Sequence, residues 1–377
     1  MKQYAVAIVG CGLMGRELAS ASARWCHLLG DIPRPNIVAV ADPNPAARAW
    51  FENSVPSVSS SVADYRELLD RPDIDIFYCA IPHVLHEQAY CDIIRAGKHL
   101  MGEKPFGMDR KQNQAIMQAI RDNPGVFVRC SSQFPFFPAC QELIRWLRED
   151  QFGRIIEIRA GFNHSSDLDL NKPINWKRKI GINGEYGCLG DLGIHTQHIP
   201  FRMGFRPVNV YAQMSKLVSQ RPDPKGGVAD CETWDNALLM CDVSLPDFTF
   251  PMRLETKRME PGSTNRWFIE IDGMNASARF STNDPNAFCY TQNCGAEQAW
   301  CRLDLGNKPL FKTITGSIFE FGFSDAILQM WAAFMSELAG QSVPFTCFTP
   351  EETEWSHALQ TAALQSQRTK TAVNITY

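Results

Sequence analysis

Three glycines with the spacing G-x-G-x-x-G follow directly on an apolar run at residues 5–9. Between a strand and a helix, such glycines allow a tight turn and let backbone N–H groups approach a pyrophosphate at the positive end of the helix. The pattern predicts a dinucleotide-binding turn; the alternative is a glycine turn in a domain that binds no nucleotide. The expected cofactor contacts are Gly10, Gly12, Leu13, Met14 and Gly15.

A carboxylate, Asp42, follows the second apolar run at residues 36–41. At the end of a second strand, this side chain type binds both hydroxyls of an adenosine ribose and repels a 2′-phosphate. We therefore expect NAD as the cofactor, with NADP less favoured. The sequence distance from Gly15 to Asp42 is longer than usual, and the turn-rich residues 29–35 account for it as a loop extension. Arg48, one helical turn further on, moderates the preference for NAD.

The periodicity of the chain changes near residue 131. Before this point, strand-like and helix-like runs alternate, which is typical of βαβ units, so residues 1–131 are predicted to form a Rossmann domain with a doubly wound parallel sheet. After it, strand-like runs follow one another with little helix between them. Residues 132–377 are therefore predicted to form an α+β domain with a mainly antiparallel open sheet that binds substrate and forms oligomers. The fold class is α/β with this second domain.

Composition excludes several classes of protein. A chain of 377 residues with 45% hydrophobic and 21% charged residues has the composition of an ordinary globular protein. The net charge of −4 argues against a nucleic-acid partner, which needs a basic surface. The longest apolar runs are strand-sized, so we expect no membrane association and a cytoplasmic location.

Thirteen cysteines are scattered along the chain without a C-x-x-C pair, so neither a disulfide framework nor a zinc ribbon is indicated. The tightest group is Cys289, Cys294 and Cys301, whose spacings match no usual ligand pattern. We expect no metal site.

Further motifs follow the glycine turn in a fixed order along the chain. They occupy residues 80–86, 96–99, 102–105 and 187–195, with Trp176 before the last of them, and a helix and strand close the chain at residues 349–375. With the glycine turn, this series resembles the glucose-fructose oxidoreductase / inositol dehydrogenase / rhizopine catabolism (GFO/IDH/MocA) family of NAD(P)-dependent oxidoreductases. The resemblance covers nearly the whole chain.

The resemblance implies roles for particular residues. Lys104 of the Glu-Lys-Pro segment contacts both substrate and nicotinamide, and Asp191 with His195 forms the family's Asp-x-x-x-His signature. Pro105 follows a peptide bond that is expected to be cis. Residues expected at the cofactor are Ile81, Pro82, His83, His86, Glu103 and Lys104. His83 stands where relatives often have Asn, and the alternative for His83 and His86 is a structural role such as fastening the loop.

These residue types suit the oxidation of a secondary alcohol. The hydroxyl proton must leave while a hydride passes from the same carbon to nicotinamide, so a base and a cation must meet at one oxygen. Lys104 would stabilise the developing alkoxide, and His195, whose type titrates near neutrality, is the expected general base. Asp191, one helical turn earlier, would contact the substrate or orient the imidazole. The alternative for each is a surface charge or a satisfied polar group.

The substrate pocket is expected to include Asn163, His164 and Trp176, in addition to Lys104, Asp191 and His195. Polar side chains after a strand suit hydroxyl groups, and an indole offers a face on which a pyranose stacks. The run Lys177-Arg178-Lys179 would either receive an anionic group of the substrate or form a solvated face. His198 stands where many relatives have Asp. Neutral polyols are the expected substrates.

We therefore predict an NAD-dependent oxidoreductase that acts on a ring hydroxyl of a sugar, glycoside or cyclitol. One alternative is an enzyme that keeps NAD bound and oxidises its substrate transiently, such as a redox glycosidase. Another is a sensor that binds dinucleotide without catalysis.

Assembly is predicted from two apolar rows in the second domain: Phe248, Phe250 and Met252, and Trp267, Ile269 and Ile271. If these rows lie on the open face of the sheet, they form a patch that a homodimer or homotetramer would bury. The alternative is that a row faces the core.

Overall fold

The computed structural model describes residues 2–293, 295, 297–305 and 308–377. The strands are β1 Gln3–Val9, β2 Arg34–Ala41, β3 Ser60–Val62, β4 Ile76–Cys79, β5 His99–Gly102, β6 Val128–Cys130, β7 Ile155–Asn163, β8 Pro207–Ser215, β9 Gln220–Pro222, β10 Val228–Asp230, β11 Asn236–Ser244, β12 Thr249–Lys257, β13 Arg266–Gly273, β14 Ala276–Ser281, β15 Ala287–Gln292, β16 Cys301–Asp304 and β17 Val373–Asn374. The helices are α1 Leu13–Ala23, α2 Pro45–Ser54, α3 His86–Arg95, α4 Arg110–Asp122, α5 Pro138–Arg148, α6 Ile180–Asn183, α7 Cys188–Arg202, α8 Phe323–Leu338 and α9 Pro350–Thr369.

The first of two compact units comprises residues 1–107, 111–136 and 307–350. Its sheet has the strand order β3-β2-β1-β4-β5-β6, and every pairing in it is parallel. The order reverses next to β1, which is the switch point where doubly wound sheets bind nucleotides at the carboxyl ends of their strands. The central strand β4 is buried along its whole length, which explains its apolar sequence. The predicted Rossmann fold is confirmed.

The expected loop extension precedes β2. A 3₁₀ turn at Arg24–His27 continues α1, and the chain after it is anchored within the first unit. The Leu29 N–H donates to the Lys312 carbonyl at 2.8 Å, and the Ile314 N–H donates to the His27 carbonyl at 2.9 Å.

The first unit extends beyond the boundary that the sequence predicts at residue 131. Residues 307–350 belong to it, whereas the prediction assigned them to the second domain. The reason is packing: α8 contacts α1, and the Trp331 ring meets the Tyr78 ring of β4 edge to face at 5.2 Å. The Cys130 N–H of β6 also donates to the Phe348 carbonyl. Sequence periodicity shows that α8 is apolar on one side but not which sheet it covers.

The second unit comprises residues 108–110, 137–306 and 351–377. Its main sheet has the order β16-β15-β14-β13-β7-β12-β11-β8-β17, in which β7 and β12 pair in parallel and the other pairs are antiparallel. The mainly antiparallel sheet is thus as predicted. Helix α7 packs on β7, β11, β12 and β13 and is buried over nearly its entire length. The turn-rich segment before β11 forms the hairpin β9–β10.

The two apolar rows that were candidates for the open face lie on the core side. Phe250, Met252, Trp267, Ile269 and Ile271 are buried and Phe248 is partly exposed, so the predicted exposed patch is wrong. Alternate residues of a strand point to opposite faces of the sheet, so one set of them packs against the helices. The sequence does not show which set that is, and only the contacts decide it.

The open face is mostly charged. Arg159 pairs with Glu157, Glu270 and Asp272, and Glu157 also pairs with Arg253. Three apolar side chains on the same face, Tyr211, Leu238 and Met240, are each more than 40% exposed. Among the described residues, no helix is both long enough and apolar enough to cross a membrane.

Candidate active site

The glycine turn depends on the absence of side chains at two of its positions. Gly10 has φ 98°, and a Cβ there would lie 2.2 Å from the Ala80 carbonyl oxygen. A Cβ on Gly15 would lie 2.4 Å from the carbonyl oxygen of Gly10. Glycine at these positions therefore lets β1 pass into α1 while the turn lies against the end of β4.

The middle glycine differs, because space is open beside it. A Cβ on Gly12 would meet no atom within 4 Å, and Gly12 caps α1 with no side-chain hydrogen bond to the helix. Leu13, the first helical residue, is 75% exposed. A helix N-terminus without a side-chain cap attracts anions, so this end of α1 fits a pyrophosphate.

Asp42 follows β2 and is tied to the glycine turn. Its Oδ2 accepts a hydrogen bond from the Cys11 N–H and its Oδ1 accepts one from the Asn44 N–H, both at 2.8 Å. Arg48 donates to the Asp42 carbonyl oxygen at 2.5 Å. The carboxylate thus lies directly after β2, where the sequence predicts a ribose contact, and it fixes the glycine turn. Burial, together with the charge of Asp42, raises the pKa of the Cys11 thiol to about 12, so this thiol stays protonated.

The loop after β4 is held by the histidines that the sequence singled out. His86 Nε2 lies 3.0 Å from the Ile81 carbonyl oxygen, at the start of the predicted cofactor segment that continues through Pro82. Both His83 and His86 are buried, with their ring centroids 5.3 Å apart. The His86 ring stacks on Tyr90 of α3 at 4.7 Å. This geometry suits the loop-fastening role for His86.

The Glu-Lys-Pro segment follows β5. Glu103 is buried, and its Oε1 accepts a hydrogen bond from the Tyr78 hydroxyl at 2.7 Å. Lys104 is partly exposed, and the Lys104–Pro105 peptide bond is cis, as the resemblance implied. The first unit therefore brings the glycine turn, Asp42, the loop after β4 and Glu103 to the carboxyl ends of its strands.

The second unit carries the Asp-x-x-x-His signature on α7. Asp191 lies in the first turn of this helix and His195 lies one turn later, and both are buried. The Asp191 Oδ2 accepts from Lys177 Nζ at 2.9 Å and from Arg258 Nη2 at 3.1 Å. Two cations and the positive helix end thus compensate the buried carboxylate. Arg258 is a contact that the sequence prediction missed.

His195 lies beside residues predicted to bind substrate. The Phe162 ring meets the His195 ring edge to face, with 5.3 Å between the ring centroids. The centroid of the His164 ring lies 4.5 Å from that of Phe162, with the two rings tilted. The Trp267 indole N–H donates to the His195 carbonyl oxygen at 2.9 Å. Asn163 is fully buried and donates to Glu255 Oε1 at 2.5 Å, while its Oδ1 has no hydrogen-bond partner within the part of the chain that the structure describes.

The predicted basic run separates into three different environments. Arg178 is fully buried and pairs with Asp167 and Asp235, so it is neither a solvated charge nor an open anion site. Burial alone would raise the pKa of Asp167, but the hydrogen bond from Lys172 and the charge of Arg178 hold that pKa below its usual range. Lys179 reaches the Asp230 carbonyl oxygen at 3.0 Å.

Lys177 is the member of this run at the candidate site, because its ammonium binds Asp191 and also lies 5.7 Å from the centre of the Trp176 ring. Trp176 is partly exposed, as a stacking residue would need to be. His198 is fully buried, with its Nε2 3.5 Å from Arg202 Nη2.

Cys289 and Cys301, two of the three cysteines that the sequence grouped, do not come together in the structure. Cys289 pairs with Arg302 across β15 and β16, whereas Cys301 pairs with Tyr290, so the two thiols point to opposite faces of the sheet. Cys294 lies outside the described residues. Within those residues, no three His, Cys, Asp or Glu side chains are grouped as metal ligands.

Comparison with known proteins finds a family model that matches the first part of the chain. Residues 4–129 match the GFO/IDH/MocA family model, described as "Oxidoreductase family, NAD-binding Rossmann fold". The chain is 29% identical over 236 residues to levoglucosan dehydrogenase of Pseudarthrobacter phenanthrenivorans, covering 60% of this chain and 58% of that protein. It is 30% identical over 139 residues to trans-1,2-dihydrobenzene-1,2-diol dehydrogenase of Danio rerio, covering 37% and 39%. The chain thus spans less than two thirds of the length of these relatives.

Solved structures share the whole fold. A levoglucosan dehydrogenase in complex with NADH and levoglucosan superposes with a TM-score of 0.88 at 21% identity, covering 100% of both chains. An oxidoreductase domain protein from Kribbella flavida gives a TM-score of 0.89 at 19% identity, also covering 100% of both. The resemblance to this family and the predicted NAD cofactor are confirmed. Residues 4–129 thus match the NAD-binding Rossmann fold of the GFO/IDH/MocA oxidoreductase family, and the chain as a whole shares its fold with solved oxidoreductases.

Proposed function

We propose that this protein is an NAD-dependent dehydrogenase that reversibly oxidises a ring hydroxyl of a sugar, glycoside or cyclitol. The observation that carries the proposal is the pair Asp191 and His195, buried on one helix beside Lys177 and Arg258, in a chain whose other unit is an NAD-binding fold. Burying the Asp191 carboxylate together with the Arg258 guanidinium costs free energy, and strongly charged buried groups are concentrated at functional sites.

The first unit would hold the cofactor through contacts that its geometry favours. The open N-terminus of α1 beside Gly12 would bind the pyrophosphate, and Asp42 would bind the adenosine ribose. Nicotinamide, when bound, supplies a site that accepts the hydride. Ile81, Pro82, His83 and Glu103 would contact its neighbourhood.

Side chains of this protein would remove the hydroxyl proton of the substrate and stabilise the charge that develops on its oxygen. Lys104 would donate a hydrogen bond to the reacting oxygen and stabilise its developing negative charge. His195 would accept the hydroxyl proton as general base. Asp191, fixed by Lys177 and Arg258, would contact a neighbouring hydroxyl or orient the imidazole. These three assignments rest on the family resemblance together with the burial of Asp191 and His195.

The substrate is proposed to be a small neutral carbohydrate. Trp176 is partly exposed and carries the Lys177 ammonium 5.7 Å from its ring centre, so the indole would stack on a pyranose, and His164 would add a polar contact. The similarity to levoglucosan dehydrogenase makes an anhydrosugar the first compound to try. The proposed compartment is the cytoplasm.

The test is a turnover screen on purified protein. Whether nucleotide co-purifies is recorded first, and then sugars, inositols and levoglucosan are screened with NAD for the appearance of NADH absorbance. We expect turnover with at least one ring alcohol, and a kcat lowered by about a hundredfold or more in His195→Ala. If NAD binds but no compound in the screen reduces it, the result contradicts the proposed dehydrogenase and favours the dinucleotide sensor. If retained NAD becomes reduced and reoxidised without net NADH, the transient-oxidation alternative holds.

We also propose that the protein is a homodimer or homotetramer built on the open face of the main sheet. On this face Met240 lies directly across from Tyr211, and Leu238 is on the same side, so three exposed apolar groups are adjacent. Light scattering should give a multiple of 42.4 kDa, and Met240→Lys should lower that mass. Phe250→Lys is not a useful test because Phe250 is in the core. A wild-type mass of 42.4 kDa would contradict the proposal.

A further inference from the structure

The residue directly before Lys104 is held at three points. The Glu103 N–H donates to the Cys79 carbonyl oxygen at 3.0 Å. Its side-chain Oε1 accepts from the Tyr78 hydroxyl, and its own carbonyl oxygen accepts from the Tyr90 hydroxyl, both at 2.7 Å. Two of these three anchors are tyrosine hydroxyls from separate elements, β4 and α3.

Both tyrosines are buried and braced by other rings. Tyr78 contacts Trp331 edge to face, and Tyr90 lies between His86 at 4.7 Å and Phe106 at 4.9 Å. Burial and the nearby Glu103 raise the pKa of Tyr78, so its hydroxyl remains a hydrogen-bond donor at all ordinary pH values. A buried carboxylate needs such donors, because water cannot reach it.

The segment on the other side of Lys104 is fixed as well. Phe106 is fully buried, has φ 69°, and its carbonyl oxygen accepts from Asn113 Nδ2 at 3.1 Å. A Cβ on Gly102 would lie 2.8 Å from the rings of both Phe106 and Tyr90. The chain therefore needs glycine there for these two rings to reach the segment.

We infer that Tyr78 and Tyr90 are positioning residues that hold the side chain and the backbone carbonyl of Glu103, respectively, and thereby aim Lys104 at the reacting oxygen. This inference rests on the proposed role of Lys104. A misplacement of a reacting group by about 1 Å costs on the order of a hundredfold in rate, so two hydrogen bonds on the preceding residue are enough to matter.

The test compares tyrosine-to-phenylalanine variants, which remove only a hydroxyl. Tyr78→Phe and Tyr90→Phe are expected to lower kcat by roughly ten- to a hundredfold, with little change in KM for the sugar. The matched control is Tyr65→Phe, because the Tyr65 hydroxyl donates to Asp92 at 2.8 Å in the same unit but does not touch the Lys104 segment. The control hydroxyl is only partly buried, so Tyr65→Phe should lose less thermal stability and should keep its kcat.

An isotope effect separates positioning from a purely structural role. With the sugar that the wild type oxidises, deuterated at its ring carbons, misplacing Lys104 should slow the bond-breaking step and raise the isotope effect on kcat. A destabilised but correctly aligned protein, assayed well below its Tm, would leave it unchanged. NADH binding, measured by fluorescence titration, should change less than kcat.

The outcomes also separate this inference from the proposed function. A wild type without turnover would refute the proposed dehydrogenase activity. A wild type with turnover, together with Tyr78→Phe and Tyr90→Phe proteins of normal kcat and isotope effect, would overturn the positioning role alone. If one variant does not fold, the other still decides the question, because each removes a separate hydrogen bond to Glu103.

Discussion

The candidate functional regions of the two units differ in the chemical groups that form them. In the first unit the cofactor region is made of backbone: glycines without side chains, an open helix end, and a carboxylate that binds backbone N–H groups. In the second unit the candidate site is made of ion pairs around buried charges. Buried Asp191 pairs with buried Arg258 and with the partly exposed Lys177, and buried Arg178 pairs with Asp167 and Asp235.

This difference determines what a substitution should do. A backbone site depends on the local turn and tolerates changes in distant side chains. A site of buried ion pairs is coupled to the stability of its whole unit, because removing one partner leaves the other charge buried and unpaired. The second unit should therefore lose stability and function together, whereas the first should lose them separately.

The largest expected effect is on stability, from Arg178→Met. Arg178 is fully buried between Asp167 and Asp235, and truncating it leaves two buried carboxylates with weakened compensation. We expect a loss of about 3–5 kcal/mol in the free energy of unfolding, measured by urea denaturation. The control is Arg302→Met, whose partner Asp284 is half exposed, and it should show no measurable change. Equal stabilities for the two variants would contradict the idea that the second unit depends on buried charge.

The next effect is on catalysis, from Lys104→Ala in the first unit and His195→Ala in the second. Each should lower kcat by about a hundredfold or more, the usual worth of a positioned acid or base. NAD affinity, measured by calorimetry, should change little in either variant. Near-normal kcat in Lys104→Ala would refute the mechanism, and loss of NAD binding would instead make Lys104 a cofactor anchor.

A smaller effect is expected on cofactor choice, from Asp42→Ala. Wild type should bind NAD more tightly than NADP, and the variant should narrow that gap by roughly tenfold, since it removes both a ribose contact and the repulsion of a 2′-phosphate. Because Asp42 also binds the Cys11 N–H, NAD itself should bind more weakly. Calorimetry with both nucleotides measures this, and a wild-type preference for NADP would show that the assignment of Asp42 is wrong.

The smallest effect concerns the pH dependence of stability in the first unit. Burial lowers the pKa of His99, whose Nδ1 accepts a hydrogen bond from the Phe127 N–H at 3.0 Å. Because the folded pKa lies below the unfolded value of about 6.5, stability is full above that value and falls as the pH drops through the folded pKa. The urea midpoint should decrease on acidification, and His99→Gln should reduce that decrease. An identical pH dependence in both proteins would rule out His99 as the cause.

The sequence is most informative where the determinants are local. The glycine spacing predicts the turn of the first unit, and the spacing of Asp191 and His195 places them on one helical face, because both patterns depend only on neighbouring residues. The alternation of apolar runs likewise predicts the parallel sheet of the first unit and the strand series of the second.

The sequence is least informative where partners are far apart in the chain. Arg258 is 67 residues from Asp191 and no local pattern announces their pairing. Strand parity alone leaves open which side of the main sheet carries Phe250, and only the packing of helices on that side decides it. Tyr78 and Tyr90 do leave a signal, since a tyrosine in a buried apolar run needs a partner for its hydroxyl, but the pattern does not reveal that the partner is Glu103.

The placement of α8 has a consequence for how the chain is synthesised. When residue 136 leaves the ribosome, the first unit has every strand of its sheet but lacks the helix that covers α1 and Tyr78. That helix is made only after β7 to β16 of the second unit. The apolar surface that α8 later covers is therefore exposed while the ribosome translates residues 137–322. A fragment that stops at residue 136 would expose the same apolar surface to water permanently.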